Sequence, residues 1–397
     1  MRKGPLARAL RYLLPLGIPL AWLQLAGEKR RLAAAVAGIA FAAIMMMMQL
    51  GFHDALFEST TILHSHLRGD LAMVSTQYES LISTKSFTQR RVYQALALPE
   101  VIAVAPVYLG MANWKNPQSR RDRSIFVFGF NPDDRVLDLP EVIEKTALLK
   151  LPDSVFFDSG SRPEFGPIAQ ELKERGQVET EIAGRKVTVN GVFRLGTSFA
   201  ADGNVVTSGS TFLSIFKARP EGLVDLGVIR LAPGTDAVKT CDRLRALLPP
   251  DVQVVTRAGY MQLEKEYWGK RTPIGFIITA SMIVAFVVGS VIVYQILYTD
   301  VVDHLQEYAT LKAVGYTDAR LFALVLQQAV ILSLLGFIPA TLMAALIFHL
   351  TRAITMLPAY LTFGRALLVL ALTMLMCTVS GALAMRKLRA ADPAEIF

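Results

Sequence analysis

The chain has 397 residues, of which 53% are hydrophobic and only 19% are charged, against about 25% charged residues in typical soluble domains. This composition is not that of a single soluble globule, and two cysteines, Cys241 and Cys377, exclude a disulfide framework and a cysteine-rich zinc site. The formal net charge of +8 indicates a nucleic-acid partner only if the charge is concentrated on one surface.

Four runs without Asp, Glu, Lys, Arg or His organise the sequence, and they cover residues 32–52, 272–299, 321–348 and 366–385. Each run is long enough to cross about 30 Å of hydrocarbon as a helix. We therefore predict four transmembrane helices, the first of which continues to residue 57. The first run is longer than the roughly 7–15 apolar residues of a signal peptide and no cleavage site follows it, so we interpret it as an uncleaved span.

Basic residues flank the outer ends of this set of spans. Lys and Arg cluster within residues 1–31 and again within 386–397, which predicts that both termini are cytoplasmic. Segment 58–271 then lies outside, and its 27 Lys or Arg and 25 Asp or Glu give a net charge of only +2. The remaining positive charge is mostly next to the membrane, where it suits contact with anionic lipids. A nucleic-acid partner is therefore not expected.

The shorter segments are predicted from the same layout. Residues 1–31 form a cytoplasmic segment, of which 5–27 is an amphipathic stretch lying on the membrane surface; a disordered basic tail is the alternative. A cytoplasmic link at 300–320 joins the second and third spans. A short outer loop at 349–365 joins the third and fourth.

Segment 58–271 is long enough to bury its own core. Its patterning predicts two β-α-β halves, near 71–109 and 226–256. The predicted strand, helix and strand are 71–75, 87–96 and 101–109 in the first half, and 226–231, 237–248 and 252–256 in the second. An inserted subdomain near 110–225 is expected to be richer in strand than in helix, and a helix at 259–269 leads into the second span. The predicted fold class is an α-helical membrane protein with four transmembrane helices (one plus three) and a large α+β extracytoplasmic domain between helices 1 and 2.

The sequence lacks the common catalytic motifs. There is no P-loop, since position 264 is Glu where the motif before Gly269 and Lys270 requires Gly. No G-x-S-x-G motif is present, and no catalytic residue is assigned. His64 and His66 form an H-x-H pair, but no third ligand is evident, so we interpret them as part of a stalk and expect no metal site. The spans contain no ionisable residue to bind a driving ion, which argues against a secondary transporter.

Small residues recur every four positions in three of the spans. Such stripes let helices approach closely, although they also arise by chance in Ala-rich spans. The predicted packing residues are Ala34, Gly38 and Ala42 in the first span, Ser281, Ala285 and Gly289 in the second, and Gly336, Ala340 and Ala344 in the third.

The link at 300–320 is predicted to form a short amphipathic helix. Its apolar anchors are Leu305, Tyr308, Leu311 and Val314, and its polar rim is Glu307 and Lys312. Gly315 suits the end of this helix, and Thr317 or Asp318 suits the start of the next. The alternative is a passive connector lying on the lipid surface.

Three stretches resemble a known family. The link reads E-Y-A-T-L-K-A-V-G-Y at 307–316, and the tail reads R-A-A-D-P-A-E at 389–395. With the one-plus-three layout, they are similar to the permeases of FtsX/MacB-type (type VII) ABC transporters. The stretch P-L-A-W-L-Q-L-A-G-E-K-R-R at 19–31 resembles the DevC permeases within that family.

The resemblance implies a homodimer in the bacterial inner membrane. It implies a separate DevA-like ATPase subunit that binds ATP and Mg, so that this chain is not an enzyme and binds no cofactor of its own. A DevB-like periplasmic adaptor and a TolC-like outer-membrane channel complete the implied exporter. The link would dock on the ATPase, and ATP-driven movement would be transmitted across the membrane to the outer domain (mechanotransmission) to export a lipid-like or amphipathic substrate.

Two other classes of function stay open. One is an FtsX-like signalling permease, which activates an envelope hydrolase rather than moving cargo. The other is a membrane-anchored sensor or enzyme with a catalytic outer domain. For the latter we find no Ser/His/Asp cluster or metal-ligand set in 58–271.

Overall fold

The computed structural model describes residues 22, 25, 29–304, 306, 307, 310, 312, 314–356 and 358–390. Most of the predicted amphipathic stretch 5–27 and the end of the tail therefore lie outside the described residues. The rest form two compact units. The helical unit contains the described residues up to His53, Ile277–Thr351 and those from Ala359 onward. The mixed unit contains Asp54–Phe276 and the described part of Arg352–Pro358.

The helices, in chain order, are α1 (Lys29–Thr60), α2 (Ile62–Ser65), α3 (Arg90–Gln94), α4 (Pro140–Glu144), α5 (Thr146–Leu149), α6 (Ile168–Arg175), α7 (Gly209–Ile215), α8 (Ala237–Leu247), α9 (Arg257–Glu266), α10 (Pro273–Asp303), α11 (Asp318–Thr355) and α12 (Phe363–Ala390). The strands are β1 (Leu71–Ser75), β2 (Phe87–Thr88), β3 (Val101–Lys115), β4 (Asp122–Phe130), β5 (Ser154–Asp158), β6 (Val178–Ile182), β7 (Arg185–Phe193), β8 (Asn204–Ser208), β9 (Leu223–Val224), β10 (Leu226–Leu231) and β11 (Val252–Thr256).

Four of these helices, α1, α10, α11 and α12, are long and apolar enough to cross a membrane. Each extends beyond the uncharged run that predicts it, because a helix continues into flanking polar residues once its backbone bonds are formed. Apolar side chains from all four helices pack in one core, which includes Ile39, Val293, Leu324, Leu332 and Met376. The mixed unit lies in the chain between α1 and α10, so the predicted fold class is confirmed.

The mixed unit contains a nine-stranded sheet in the order β11-β1-β10-β3-β4-β8-β5-β7-β6. The two predicted β-α-β halves do not form separate sheets. Strand β1 pairs antiparallel with both β10 and β11, and β10 pairs antiparallel with β3. The halves therefore interleave in the split β-α-β arrangement of ferredoxin-like folds.

The inserted strands extend the same sheet. Strand β3 does not end at residue 109 as predicted, but continues through Gly110 to Lys115 and pairs with β4 along this length. The glycine is needed inside the strand, because a Cβ atom there would lie 2.8 Å from the Phe216 ring. Gly110 is thus a site of close packing within the strand.

The predicted helix at 87–96 is wrong in its first part. Residues Phe87–Thr88 form β2, which pairs with Leu223–Val224 of β9. The side chains of Phe87 and Val224 are both buried, and the helix begins only at Arg90. Long-range pairing has overridden the local helical pattern here.

The sheet buries apolar side chains on both faces because successive residues of a strand point to opposite sides. On one face Leu71 and Met73 of β1 pack in a core with Val92 of α3 and Leu244 of α8. On the other face lies a second core, which includes Leu63 of α2 and Tyr260 of α9. The segments that lead to α1 and α10 therefore share one face of the sheet.

Candidate functional site

Five side chains are buried together where α2 meets α9, and we call them the junction cluster: His64, Tyr78, Tyr260, Glu264 and Trp268. Helix α2 follows α1 after a single residue, Thr61. Helix α9 leads into α10 through a π-helical turn at Tyr267–Arg271. The junction cluster therefore joins the two chain segments through which the mixed unit continues into α1 and α10.

Glu264 is the centre of this cluster. One carboxyl oxygen, Oε2, accepts hydrogen bonds from the Tyr78 hydroxyl and from the Leu81 N–H, both at 2.9 Å. The other, Oε1, accepts a hydrogen bond of 2.9 Å from Trp268 Nε1. Trp268 can reach this oxygen because residues four apart lie above one another on a helix. The carboxyl group thus holds the loop after β1 against α9.

Burial sets the protonation of these groups. It raises the pKa of the Glu264 carboxyl, and the hydrogen bonds from Trp268, Tyr78 and the Leu81 backbone oppose this effect without reversing it. Burial also raises the pKa of Tyr78 well above its ordinary value, with the nearby Tyr260 and Glu264 adding to the effect, and it raises the pKa of Tyr260. Both phenols of the cluster therefore remain neutral near neutral pH.

His64 lies beside this carboxyl group and is fully buried. Its ring centroid is 4.3 Å from that of Tyr260. Its Nε2 atom is 3.9 Å from Glu264 Oε2, which is beyond hydrogen-bond distance. Desolvation lowers the pKa of His64 to about 3, so the imidazole is neutral at physiological pH.

The interpretation of both histidines as an ordinary stalk is wrong for His64. The two rings have different surroundings, since His66 follows α2 and its Nδ1 forms a hydrogen bond of 2.9 Å with the Ile62 carbonyl oxygen of that helix. One signal in the sequence could have predicted the cluster. Tyr260, Glu264 and Trp268 follow one another at intervals of four, which places a carboxyl group within an aromatic stripe that begins on α9.

The end of α1 makes further contacts within the mixed unit. A Cβ atom on Gly269 would lie 3.0 Å from the ring of Phe57, so the π-helical turn approaches α1 closely because this residue has no side chain. Ser59 Oγ accepts a hydrogen bond of 3.4 Å from the Phe199 N–H. The first of these contacts holds the last turns of α1 beside the segment that leads to α10.

The second candidate region is the link between α10 and α11. Of its predicted residues, Glu307, Lys312, Val314 and Gly315 are described, whereas Leu305, Tyr308 and Leu311 lie outside the described residues. The Val314 side chain is 76% exposed. Gly315 has a φ of +102°, a conformation that favours glycine, and its N–H donates to the Lys312 carbonyl oxygen at 3.0 Å. The chain therefore turns at Gly315 before α11 begins.

An ion pair adjoins this link and was not predicted from the sequence. Arg31, near the start of α1, pairs with Asp303, the last residue of α10. The two residues are far apart in the sequence, and although Arg31 ends the stretch 19–31 that resembles the DevC permeases, nothing in that stretch indicates Asp303 as its partner. The pair connects the start of α1 to the end of the helix that precedes the link.

The predicted small residues lie at several helix contacts. A Cβ atom on Gly289 would lie 2.7 Å from the Ala42 side chain, one on Gly38 would lie 2.9 Å from Ile296, and one on Gly336 would lie 2.6 Å from Ile39. At Gly289 and Gly336 the nearest atoms lie close to the backbone of α1, so a side chain there would force the helices apart, whereas the Ile296 atom near Gly38 is the end of a flexible side chain. Helix α1 therefore approaches α10 at Gly289 and α11 at Gly336. Among the other predicted residues, Ala285, Ala340 and Ala344 are buried, Ser281 is half-buried and Ala34 is exposed.

Four apolar helices, with a mixed domain in the chain between the first and the second, define this chain as a multi-pass membrane protein. Residues 279–393 match the family model of the FtsX-like permease C-terminal region. The match runs from α10 to beyond the end of α12 and includes the link. This part of the chain is therefore similar to the membrane region of FtsX-like permeases, as the sequence resemblance predicts.

Two solved extracytoplasmic domains are similar to part of this chain. No curated protein matches the sequence. The periplasmic region of MacB from Actinobacillus actinomycetemcomitans is similar, with 10% identity and a TM-score of 0.35, over 50% of this chain and 94% of that one. The extracellular domain of the noncanonic ABC-type transporter YknZ from Gram-positive bacteria has 13% identity and a TM-score of 0.31, over 47% of this chain and 98% of that one. Neither likeness assigns a function.

Proposed function

We propose that this chain is the permease subunit of an FtsX/MacB-type ABC transporter. The observation that carries the proposal is the family match over residues 279–393. In this proposal ATP and Mg bind to a separate ATPase subunit, and the permease itself catalyses no reaction. The chain spans the inner membrane with both termini in the cytoplasm and the mixed unit outside.

The link between α10 and α11 is the proposed docking site for the ATPase. An amphipathic helix binds a groove through its apolar side chains, and Val314 offers such a side chain to the solvent. Gly315 then lets the chain turn back towards the membrane. Arg31 and Asp303 join the start of α1 to the end of α10, so that a force on the link acts on both helices.

At the opposite ends of α1 and α10 from the link, the proposed role of the junction cluster is to connect these helices to the sheet of the mixed unit. Rigid elements transmit a displacement only where they are firmly connected. Glu264 supplies such a connection through its three hydrogen bonds. In the proposed mechanism, movement of α1 and α10 reaches the sheet of the mixed unit as one displacement (mechanotransmission).

The finer assignment is a DevC-like exporter permease. It works as a homodimer with a DevA-like ATPase, a DevB-like adaptor and a TolC-like channel, and it exports a lipid-like or amphipathic substrate. The support for this assignment is the N-terminal resemblance at residues 19–31. An FtsX-like signalling permease would share the ATPase but would need neither the adaptor nor the channel.

Docking is tested by co-purification of the ATPase with affinity-tagged full-length permease. Val314→Asp places a charge on the proposed anchor and is expected to reduce ATPase recovery by about tenfold or more, because burying an unpaired charge costs more than the ~1.4 kcal/mol of one decade in affinity. Val238→Asp is the matched control, because Val238 is also strongly exposed but lies on α8 of the mixed unit. Equal recovery with the two variants would contradict docking at the link.

The turn is tested by a second pair of variants. Gly315→Ala introduces a side chain at a φ of +102° and is expected to weaken coupling between ATP hydrolysis and export. Gly364→Ala is its control, since a Cβ atom there meets nothing within 4 Å.

Deletion of the adaptor distinguishes the two proposed classes of permease. Loss of export on deletion of the adaptor would favour the exporter, whereas an activity that persists without adaptor and channel would favour the signalling permease.

A further inference from the structure

A cavity of about 150 Å³ lies against the sheet of the mixed unit, and we call it the β10 cavity. Strands β10 and β3 line one side of it, with Arg230 on β10. Arg68, in the segment before β1, and Asp133 and Asp134, in the turn after β4, line the other sides. None of its lining residues belongs to the junction cluster or to the link, so it is a separate candidate site.

The cavity exists because small residues on β3 face larger ones on β10. In this antiparallel pair Arg230 lies opposite Ala103, and Val228 lies opposite Ala105. Side chains that lie opposite each other across two strands normally fill the space between them by packing or pairing. Alanine offers only a methyl group, so space remains beside the Arg230 side chain, and a carboxylate that could pair with it across the strands is missing.

The wall of the cavity is held in place by backbone hydrogen bonds. The Arg68 N–H donates to the Val136 carbonyl oxygen at 2.7 Å, and the Asp138 N–H donates to the His66 carbonyl oxygen at 2.8 Å. Leu67 and Leu137 form a β-bridge between the same two segments. The cavity is therefore formed before any ligand enters, as small-molecule sites usually are.

The two arginines of the cavity lack carboxylate partners. Arg230 is half-buried, its Nη2 reaches only the Asp134 carbonyl oxygen, at 3.5 Å, and its Nε is buried without a hydrogen-bond partner. A guanidinium group has five N–H donors, so most of the donors of Arg230 lack an acceptor in the part of the chain that the structure describes. Arg68 is exposed, and it too forms no ion pair with a described residue.

The two acidic residues of the cavity differ. Asp133 pairs with Lys150 at 2.6 Å. Asp134 is half-buried, and its Oδ1 accepts a hydrogen bond of 3.2 Å from the Asn131 amide, but no Lys, Arg or His among the described residues forms an ion pair with it. Two positive groups and one negative group of the cavity therefore remain without an oppositely charged partner.

We propose that the β10 cavity binds a free amino acid with an acidic side chain. One carboxylate of the ligand pairs with Arg230, the other with Arg68, and the ammonium group pairs with Asp134. Guanidinium groups recognise carboxylates through two parallel hydrogen bonds, and each unpaired charge of the cavity gains a partner. This inference does not depend on the proposed transport function.

The size of the cavity agrees with a ligand of this kind. Its volume of about 150 Å³ equals the share of about five water molecules in the liquid, at ~30 Å³ each. Sites for drug-sized ligands measure about 300–1,000 Å³, so a larger molecule could place only one small group here.

Isothermal titration of the full-length protein in detergent with L-aspartate and with succinate tests the proposal. Succinate has the same carbon chain and the same two carboxylates but no ammonium group. We expect L-aspartate to bind about tenfold more tightly than succinate, because only L-aspartate forms a charge-assisted hydrogen bond with Asp134. L-alanine lacks the second carboxylate and should bind more weakly than L-aspartate, by a smaller factor because Arg68 is exposed.

Three variants assign the contacts. Asp134→Asn keeps the acceptor for Asn131 and removes the charge, so it should weaken L-aspartate binding about tenfold and leave succinate binding unchanged or tighter. Arg230→Gln should weaken the binding of both ligands about tenfold or more. Arg121→Gln is the matched control, because Arg121 is also exposed but lies beyond the other end of β3, and it should retain wild-type binding.

Three results would overturn the proposal. The first is an absence of L-aspartate binding to the wild-type protein at millimolar concentrations. The second is succinate binding as tight as that of L-aspartate, which would instead indicate a site for anions or for an acidic side chain of a partner protein. The third is a preference for L-aspartate over succinate that persists in Asp134→Asn. If Arg230→Gln does not fold, the comparison of the two ligands in wild type and Asp134→Asn still decides.

Discussion

Replacing Glu264 with leucine is expected to destabilise the mixed unit strongly. The substitution leaves two buried donors, the Leu81 N–H and Trp268 Nε1–H, without the acceptor that they have at 2.9 Å. Each buried donor that loses its partner costs about 1–3 kcal/mol, so the expected loss in the free energy of unfolding is about 2–6 kcal/mol. The Tyr78 hydroxyl can rotate away and adds less.

Thermal unfolding of the purified full-length protein is a suitable assay. For a unit of this size a loss of 1 kcal/mol lowers Tm by about 2–4 °C, so Glu264→Leu should lower Tm by about 4–24 °C. Glu266→Leu is the control, because Glu266 lies on the same helix but bonds only Gln262 and Lys270 at its surface, where such pairs contribute at most about 0.5 kcal/mol. Equal decreases in Tm for both variants would refute the view that the buried carboxyl holds the junction together.

Three further outcomes are expected. Gly289→Ala should lower the free energy of unfolding of the helical unit by about 1–3 kcal/mol, and so its Tm, because the added Cβ would lie 2.7 Å from Ala42. Gly364→Ala is the control and should leave the Tm unchanged, because its Cβ meets nothing within 4 Å. Equal Tm values for the two variants would contradict the close contact. Lys150→Cys in a cysteine-free background should react with a membrane-impermeant maleimide in cells with an intact inner membrane, and labelling only after that membrane is breached would contradict the proposed topology. The purified permease alone should hydrolyse no ATP, and turnover that persists after complete removal of ATPase subunits would contradict the proposed division of roles.

The sequence determined the membrane helices because their signal is local. An uncharged run of about twenty or more residues predicts a spanning helix without reference to the rest of the chain, and α1, α10, α11 and α12 lie where these runs predict them. Short strands with strong local patterns, such as β1 and β10, were also predicted with the bounds that the structure has. The turn at Gly315 was also predictable from the local sequence, since a glycine after a helical stripe signals the end of a helix.

Only the tertiary structure decided the order of the strands and the composition of the junction cluster. The sequence shows that Phe87 is apolar, but its partner in β9 is Val224, far along the chain, and no local pattern selects that pairing over a helix. Likewise, His64 and Glu264 each have an ordinary local explanation, as part of a stalk and as a surface residue of a helix. They become a buried pair because β1 and β11 lie side by side in the sheet, which brings the chain before β1 against the chain after β11 and removes both side chains from water.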